Sequence, residues 1–155
     1  MPFVRLASGL LLATLLCAAP NPVDLITTAD LQQATKKLAA ESKRLGGGFA
    51  SETLARYGNH LTMIAHREKS GSSELHMRDA DIFMVVEGDA TIVTGGKMVK
   101  ARTSGPGELR GTGIDGGKSQ ALSRGDIIHI APNTPHQLVL KPGHTFTYFV
   151  VKVHS

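Results

Sequence analysis

The 155-residue sequence predicts an all-β domain of the sandwich, jelly-roll or barrel kind, preceded by one helix. Three observations carry this. From Leu61 onward, short apolar runs recur with glycine between them: Leu61 to Ala65, Ile82 to Val86, Thr91 to Thr94, Asp126 to Ile130, Gln137 to Leu140 and Thr145 to Val153. Gly95-Gly96 stands between Thr94 and Lys97, and paired glycines supply the positive φ angles of a type I′ hairpin turn. Asn133-Thr134-Pro135 marks another turn. About 90 residues from Leu61 onward suffice for one such unit.

Ahead of the strands, Asp30 with Gln33 three residues later reads as a helix cap. Leu31, Ala34, Leu38 and Leu45 recur near helical spacing through Arg44, and Gly46-Gly47-Gly48 ends the pattern. Lys36, Lys37, Glu41 and Lys43 make the other face polar, so this amphipathic helix is expected outside the barrel, against it or against a partner subunit. The first nineteen residues carry Arg5, the apolar stretch Leu10 to Leu16 and the small pair Ala18-Ala19, the layout of a secretory signal peptide. Residues 1–19 are therefore expected to be a signal peptide, 20–50 a helical segment and linker, and 51–155 the barrel domain. A secreted or periplasmic location follows from that reading. Leu16 ahead of Cys17 disfavours a lipid anchor.

Composition narrows the function. A hydrophobic content of 41% against 19% charge is that of a globular chain. The net charge of +4 is spread, with no basic run longer than Lys36-Lys37 or Lys43-Arg44, so a nucleic-acid partner is not expected. Cys17 is the only cysteine and lies in the expected signal, which excludes disulfides and thiol catalysis from the mature chain. No second apolar run approaches membrane-spanning length, so no stable membrane insertion is expected after signal removal. Thr103 to Lys118 holds six glycines, at 105, 107, 111, 113, 116 and 117, and reads as a long hairpin tip or a lid. Its Gly111-Thr112-Gly113-Ile114-Asp115-Gly116 matches G-x-G-x-x-G, but no helix-forming segment follows it, as a dinucleotide site requires.

The chemistry concentrates in two segments. In Glu74-Leu75-His76-Met77-Arg78-Asp79-Ala80-Asp81, Glu74 and His76 are two apart and share one face of a strand. The second segment, Gly125 to His136, delivers another histidine to a strand start after a tight turn. Imidazole with one or two carboxylates suits iron, manganese, nickel or zinc. In the competing reading, His76 and His136 are hydrogen-bonded pocket residues while Asp81 and Glu74 pair with Arg78 or solvent. His129 is expected in a structural or pocket-edge role. Met63, Phe83, Met84, Phe146 and Phe149 are expected in core packing.

These two segments resemble the two motifs of the cupin superfamily, G-x5-H-x-H-x3,4-E-x6-G and G-x5-P-x-G-x2-H-x3-N. Asp81 followed by six residues and Gly88 sets the register, so His76 stands at the second histidine, Glu74 at the first, and Asp81 at the glutamate. In the second motif Gly125 and His136 match, while Ala131 replaces the proline, Asn133 the glycine and Leu140 the asparagine. Asparagine tolerates the left-handed conformation, which leaves the turn intact. The resemblance covers Leu61 to Val153 and implies a double-stranded β-helix, a jelly-roll barrel with a pocket at one mouth. It implies a divalent transition metal (Fe, Mn, Ni or Zn) held by Glu74, His76, Asp81 and His136, a small-molecule ligand or substrate, and a homodimer paired through its sheets. Asp81, one methylene shorter than glutamate, is expected to fall about 1.5 Å short of the ion. A dioxygenase-like enzyme, a non-catalytic ligand-binding module and a metal-free isomerase or epimerase are the functions that fit.

Overall fold

The computed structural model describes residues 23–154; the expected signal peptide, with Cys17, lies outside the described residues. In chain order the elements are α1 (Thr28–Leu45), β1 (Phe49–Arg56), β2 (His60–Arg67), β3 (Ser73–His76), β4 (Asp79–Thr94), β5 (Lys97–Val99), β6 (Arg102–Gly105), β7 (Glu108–Gly111), β8 (Gly113–Asp115), β9 (Lys118–Ser123), β10 (Ile127–Ile130), β11 (His136–Val139) and β12 (Phe146–His154). The all-β expectation with one N-terminal helix holds among the described residues. No helix among them is long and apolar enough to cross a membrane.

The helix begins three residues earlier than its sequence suggests. Thr27 is the N-cap, and Asp30 is the third helical residue of a capping box: the Asp30 N–H donates to Thr27 Oγ1 at 3.2 Å and the Thr27 N–H donates to Asp30 Oδ2 at 2.8 Å. At the other end the Gly46 N–H returns to the carbonyls of Ser42 and Lys43 at 3.1 Å. α1 packs on the outer face of β1 and β2, where Leu38, Ala50 and Ile64 form a small core flanked by Leu31 and Ala34. Leu45 is exposed, so the buried stripe passes through Thr35, Leu38 and Ser42 instead of reaching it.

β4 joins the two halves of the barrel. Its first half pairs with β12 and β10, its second with β9 and β11. The sequence reads this strand as two, over 82–86 and 91–94, because its apolar alternation changes phase: Asp81, Phe83 and Val85 are buried before Gly88, and Ala90 and Ile92 after it. A register shift in the β4–β12 ladder, against Thr147 and Tyr148, absorbs the extra residue and flips the inward face. Gly88 has φ +82, and a Cβ there would lie 1.9 Å from the Thr145 carbonyl oxygen, so only glycine lets the two backbones meet.

The remaining strands complete a curled antiparallel sheet in the order β1-β2-β12-β4-β11-β3-β7-β6, with β9 and β10 also on β4 and a separate β5–β8 ribbon. Gly95 and Gly96 do have positive φ, 72 and 68. They form a corner and not a hairpin, because β5 leaves β4 to pair with β8. Thr103 to Lys118 is not a lid. It holds most of β6 and all of β7, which pair as a hairpin across Pro106-Gly107 with β7 lying between β3 and β6 in the sheet, and then β8. Its glycines allow close approach; a Cβ on Gly111 would lie 2.6 Å from Ser73 Oγ.

The core is built from inward rows: Phe83 and Val85 from β4, Leu138 from β11, and Phe146, Tyr148 and Val150 from β12, together with Ile92, Leu122 and Ile130. Met63 packs against it, while Met84 and Phe149 are only half-buried. Three inward rows end in polar residues at the same mouth of the barrel. On β4 the row ends at Asp81, on β11 at His136, and on β12 at Lys152. The pocket is thus the place where the apolar rows stop.

Candidate metal centre

Register builds the centre. Across β11, β3 and β7, His136 stands opposite Glu74 and Glu74 opposite Arg110, while His76 stands opposite Glu108. From the facing sheet Asp81 on β4 pairs with Lys152 on β12. The turn before His136 is tied to the first motif by the Asn133 N–H, which donates to the His76 carbonyl at 2.8 Å. Asn133 takes φ 60, the left-handed conformation expected where the motif carries glycine.

Glu74, His76 and His136 each place a ligand atom within 4.8 Å of the others. His76 Nε2 is 3.7 Å from Glu74 Oε2 and 3.2 Å from Asp81 Oδ2; His136 Nε2 is 3.9 Å from Glu74 Oε2 and 3.8 Å from Asp81 Oδ2. Donors about 2.1 Å from one ion at tetrahedral or octahedral angles are about 3.0–3.4 Å apart. Closing these pairs by up to about 0.9 Å would bring the atoms to coordination distance. Of the four residues singled out in the sequence, Glu74, His76 and His136 form this cluster; Asp81 stands beside it, with Oδ2 3.2 and 3.8 Å from the two histidines and Oδ1 2.6 Å from Lys152 Nζ.

Both imidazoles are oriented for the task. Nδ1 of His136 donates to the Thr134 carbonyl at 3.0 Å, and Nδ1 of His76 donates to Glu108 Oε2 at 2.6 Å. Each bond turns an Nε2 toward the same point, the arrangement in which a carboxylate or carbonyl fixes the tautomer of a metal-binding histidine. His136 Nε2 is buried and has no hydrogen-bond partner among the described residues. A buried lone pair without a donor costs about 1–3 kcal/mol, which an ion at this point would offset. The donor set and this orphaned nitrogen fit a divalent transition metal.

Charge differs between the two histidines. Burial holds His136 below the ordinary imidazole pKa, outweighing the Thr134 carbonyl and the carboxylates of Glu74 and Asp81. Burial opposes the charge on His76 too and Lys152 adds to that opposition, but the hydrogen bond to Asp81 with the charges of Asp81 and Glu108 outweighs both, so its pKa is raised. Burial pushes the carboxyl of Asp81 up, yet His76 and Lys152 bring it below the usual carboxylate value.

Several residues at the site carried no motif. Glu108 and Arg110 alternate on β7 inside the glycine-rich stretch, where their i, i+2 spacing was the only hint. Lys152 is a single charge on the inward parity of an otherwise apolar strand. Arg67, at the end of β2, lies 3.7 Å from Glu74 Oε1. Glu74 faces Arg110 and Arg67, and Asp81 faces Lys152. His129 is exposed on β10 and lines no part of the pocket, because its neighbours Ile128 and Ile130 take the inward positions.

No protein-family model matches the chain, and no curated protein matches it. Solved structures do. A protein from Klebsiella pneumoniae with a double-stranded β-helix domain superposes with a TM-score of 0.52 at 16% identity, covering 70% of this chain and 78% of that one. The fold is the cupin barrel. A second match, the protein TT1209 from Thermus thermophilus, gives a TM-score of 0.52 at 13% identity over 72% of this chain and 92% of its own. The plu4264 protein from Photorhabdus luminescens gives 0.50 at 12% over 70% and 77%. At these identities the likeness speaks for the cupin fold alone.

Proposed function

We propose that this cupin barrel binds one divalent transition metal through His76, His136 and Glu74, with Asp81 beside them, and that the ion anchors a small organic ligand in the adjoining pocket. The observation that carries the reading is the pair of buried imidazoles, each held through Nδ1, whose Nε2 atoms face the same two carboxylates. The pocket has a volume of about 530 Å³, within the range of small-molecule sites. An ion held there supplies Lewis-acid activation of a ligand oxygen and, if it is iron(II), redox chemistry with dioxygen.

The chain's own residues set the terms of binding. His76 Nδ1–H donates to Glu108, and its Nε2 faces Asp81 at 3.2 Å, a contact that favours a second proton there and raises its pKa. A metal ion would compete with that proton for Nε2, while Glu108 keeps the ring oriented. His136, held neutral by burial, offers its lone pair at once. Phe83, Tyr148 and Val150 form the apolar wall of the pocket and limit water on that side.

A second reading is supported by Lys152 and Arg110, which already neutralise Asp81 and Glu74 at 2.6 and 2.5 Å. It makes the chain a metal-free binding module or isomerase. Elemental analysis of untagged protein, beside His76→Ala and His136→Ala, separates the two. One ion per chain, lost in both variants, supports the metal centre; no ion after incubation with iron, manganese, nickel and zinc salts supports the metal-free pocket. Export, proposed from residues 1–19, is checked by the N-terminal mass of the protein recovered outside the cytoplasm. The dimer implied by the cupin resemblance is checked by mass in solution.

A further inference from the structure

We infer that the ligand of this pocket is a small organic acid, held through its carboxylate by Arg67 with Lys152 and Arg110 on either side. The inference rests on the reading of this cavity as a ligand pocket, and it names the ligand's chemical class. The cavity wall carries Arg67, Lys69, Arg110 and Lys152 against two carboxylates, Glu74 and Asp81. Four cations to two anions leaves the wall of this half-open cavity net positive, although Lys69 is exposed and Arg110 partly so. A divalent ion on Glu74 and Asp81 widens the imbalance, since it takes up the carboxylates that Arg110 and Lys152 now contact. An anion from solution restores it.

The three cations are placed to receive one. Arg67 Nε donates to Tyr148 Oη at 3.0 Å, and its guanidinium carbon lies 4.4 Å from the centre of the Phe49 ring. These contacts fix the plane of the fork while its closest carboxylate oxygen, Glu74 Oε1, stays at 3.7 Å, beyond hydrogen-bond length. A planar fork held in this way is suited to a bidentate carboxylate. Arg110 Nη1 and Lys152 Nζ pair with Glu74 and Asp81 at 2.5 and 2.6 Å, which places both charges on either side of the Arg67 fork. Glu74 links the two parts of the site, with Oε1 toward Arg67 and Oε2 toward the histidines. An acid seated on Arg67 therefore carries its neighbouring atoms toward His76 and His136.

The test is calorimetric titration of untagged protein, metal-free and manganese-loaded, with malonate and succinate and with their neutral diamides. At least one diacid is expected to bind ten times more tightly than its diamide, and more weakly as salt is raised. Arg67→Met, which keeps an apolar stem over Phe49, is expected to lose at least tenfold in diacid affinity with manganese content unchanged; Lys152→Met serves if that variant does not fold. Lys118→Met, on the exposed strand β9, is expected to bind as the wild type does. Diamides binding as tightly as diacids, no diacid binding at all, or a diacid affinity within twofold of wild type in a folded Arg67 or Lys152 variant overturns the inference. Diacid binding by a protein that takes up no manganese supports the anion site and removes the metal centre; manganese uptake without diacid binding does the reverse.

Discussion

Replacing Glu108 by glutamine tests whether His76 is held for a metal or merely for packing. Glu108 Oε2 accepts from His76 Nδ1 at 2.6 Å, and its side chain is 28% exposed. It does not itself face the centre of the donor set. Two unit charges about 4 Å apart interact by about 4 kcal/mol at an effective dielectric of 20. Glutamine keeps an acceptor at the same reach and solvent screens part of the charge, so only a fraction of that energy is lost. Changes in such outer partners cost about 10–100-fold in metal affinity, which is about 1.4–2.7 kcal/mol. The loss of negative charge also frees Arg110, 3.7 Å from Glu108, to compete harder for Glu74. Competition of manganese or zinc against a chromophoric chelator at fixed neutral pH reads the affinity, with thermal unfolding of the metal-free protein as control. Glu108→Gln is expected to weaken binding by one to two orders of magnitude with little change in melting temperature. Affinity within twofold of wild type would refute the assignment of Glu108 as the group that orients His76.

Metal affinity should depend on pH with a sign set by His76. Its pKa is raised above the ordinary 6.5, so below the raised value the ion must displace the Nε2 proton, and affinity falls by up to about tenfold per pH unit. Above it the dependence flattens; His136, lowered below 6.5, adds a second proton only at more acid pH. A chelator-competition series across that window showing no loss on acidification would contradict the protonation states assigned here. Gly88→Ala is expected to cost more than about 3 kcal/mol, because its Cβ would overlap the Thr145 carbonyl oxygen at 1.9 Å. Gly95→Ala has a similar φ but nothing within 4 Å, and should cost about 1 kcal/mol. For a chain of this size, about 2–4 °C in melting temperature per kcal/mol separates the two by calorimetry.

The fold and the clustering of Glu74, His76 and His136 were legible because each rests on a local rule. Strand alternation, turn glycines and the Asp81-to-Gly88 spacing all depend on neighbours in sequence. Gly88 is a clear case: the motif glycine is the residue whose side chain the Thr145 backbone excludes. Elsewhere the local pattern misled. The phase change in β4 disguised one sixteen-residue strand as two, and the six glycines of 103–118 disguised β7 as a flexible tip. That second misreading hid Glu108 and Arg110, whose roles depend on pairing with β3, more than thirty positions earlier. Lys152 and Arg67 were hidden for the same reason, since a charge at a strand end reads as solvated until the opposite sheet is in place. Sequence alone thus pointed to the histidine and carboxylate cluster but not to the cations around it.

The most direct measurement is a crystal structure of untagged protein soaked in manganese, with anomalous differences collected at a wavelength where manganese scatters. One peak is predicted about 2.0–2.3 Å from His76 Nε2, His136 Nε2 and Glu74 Oε2, with Lys152 and Arg110 drawn away from their carboxylates. No peak at that point, with Lys152 still on Asp81 and Arg110 still on Glu74, would contradict the metal centre.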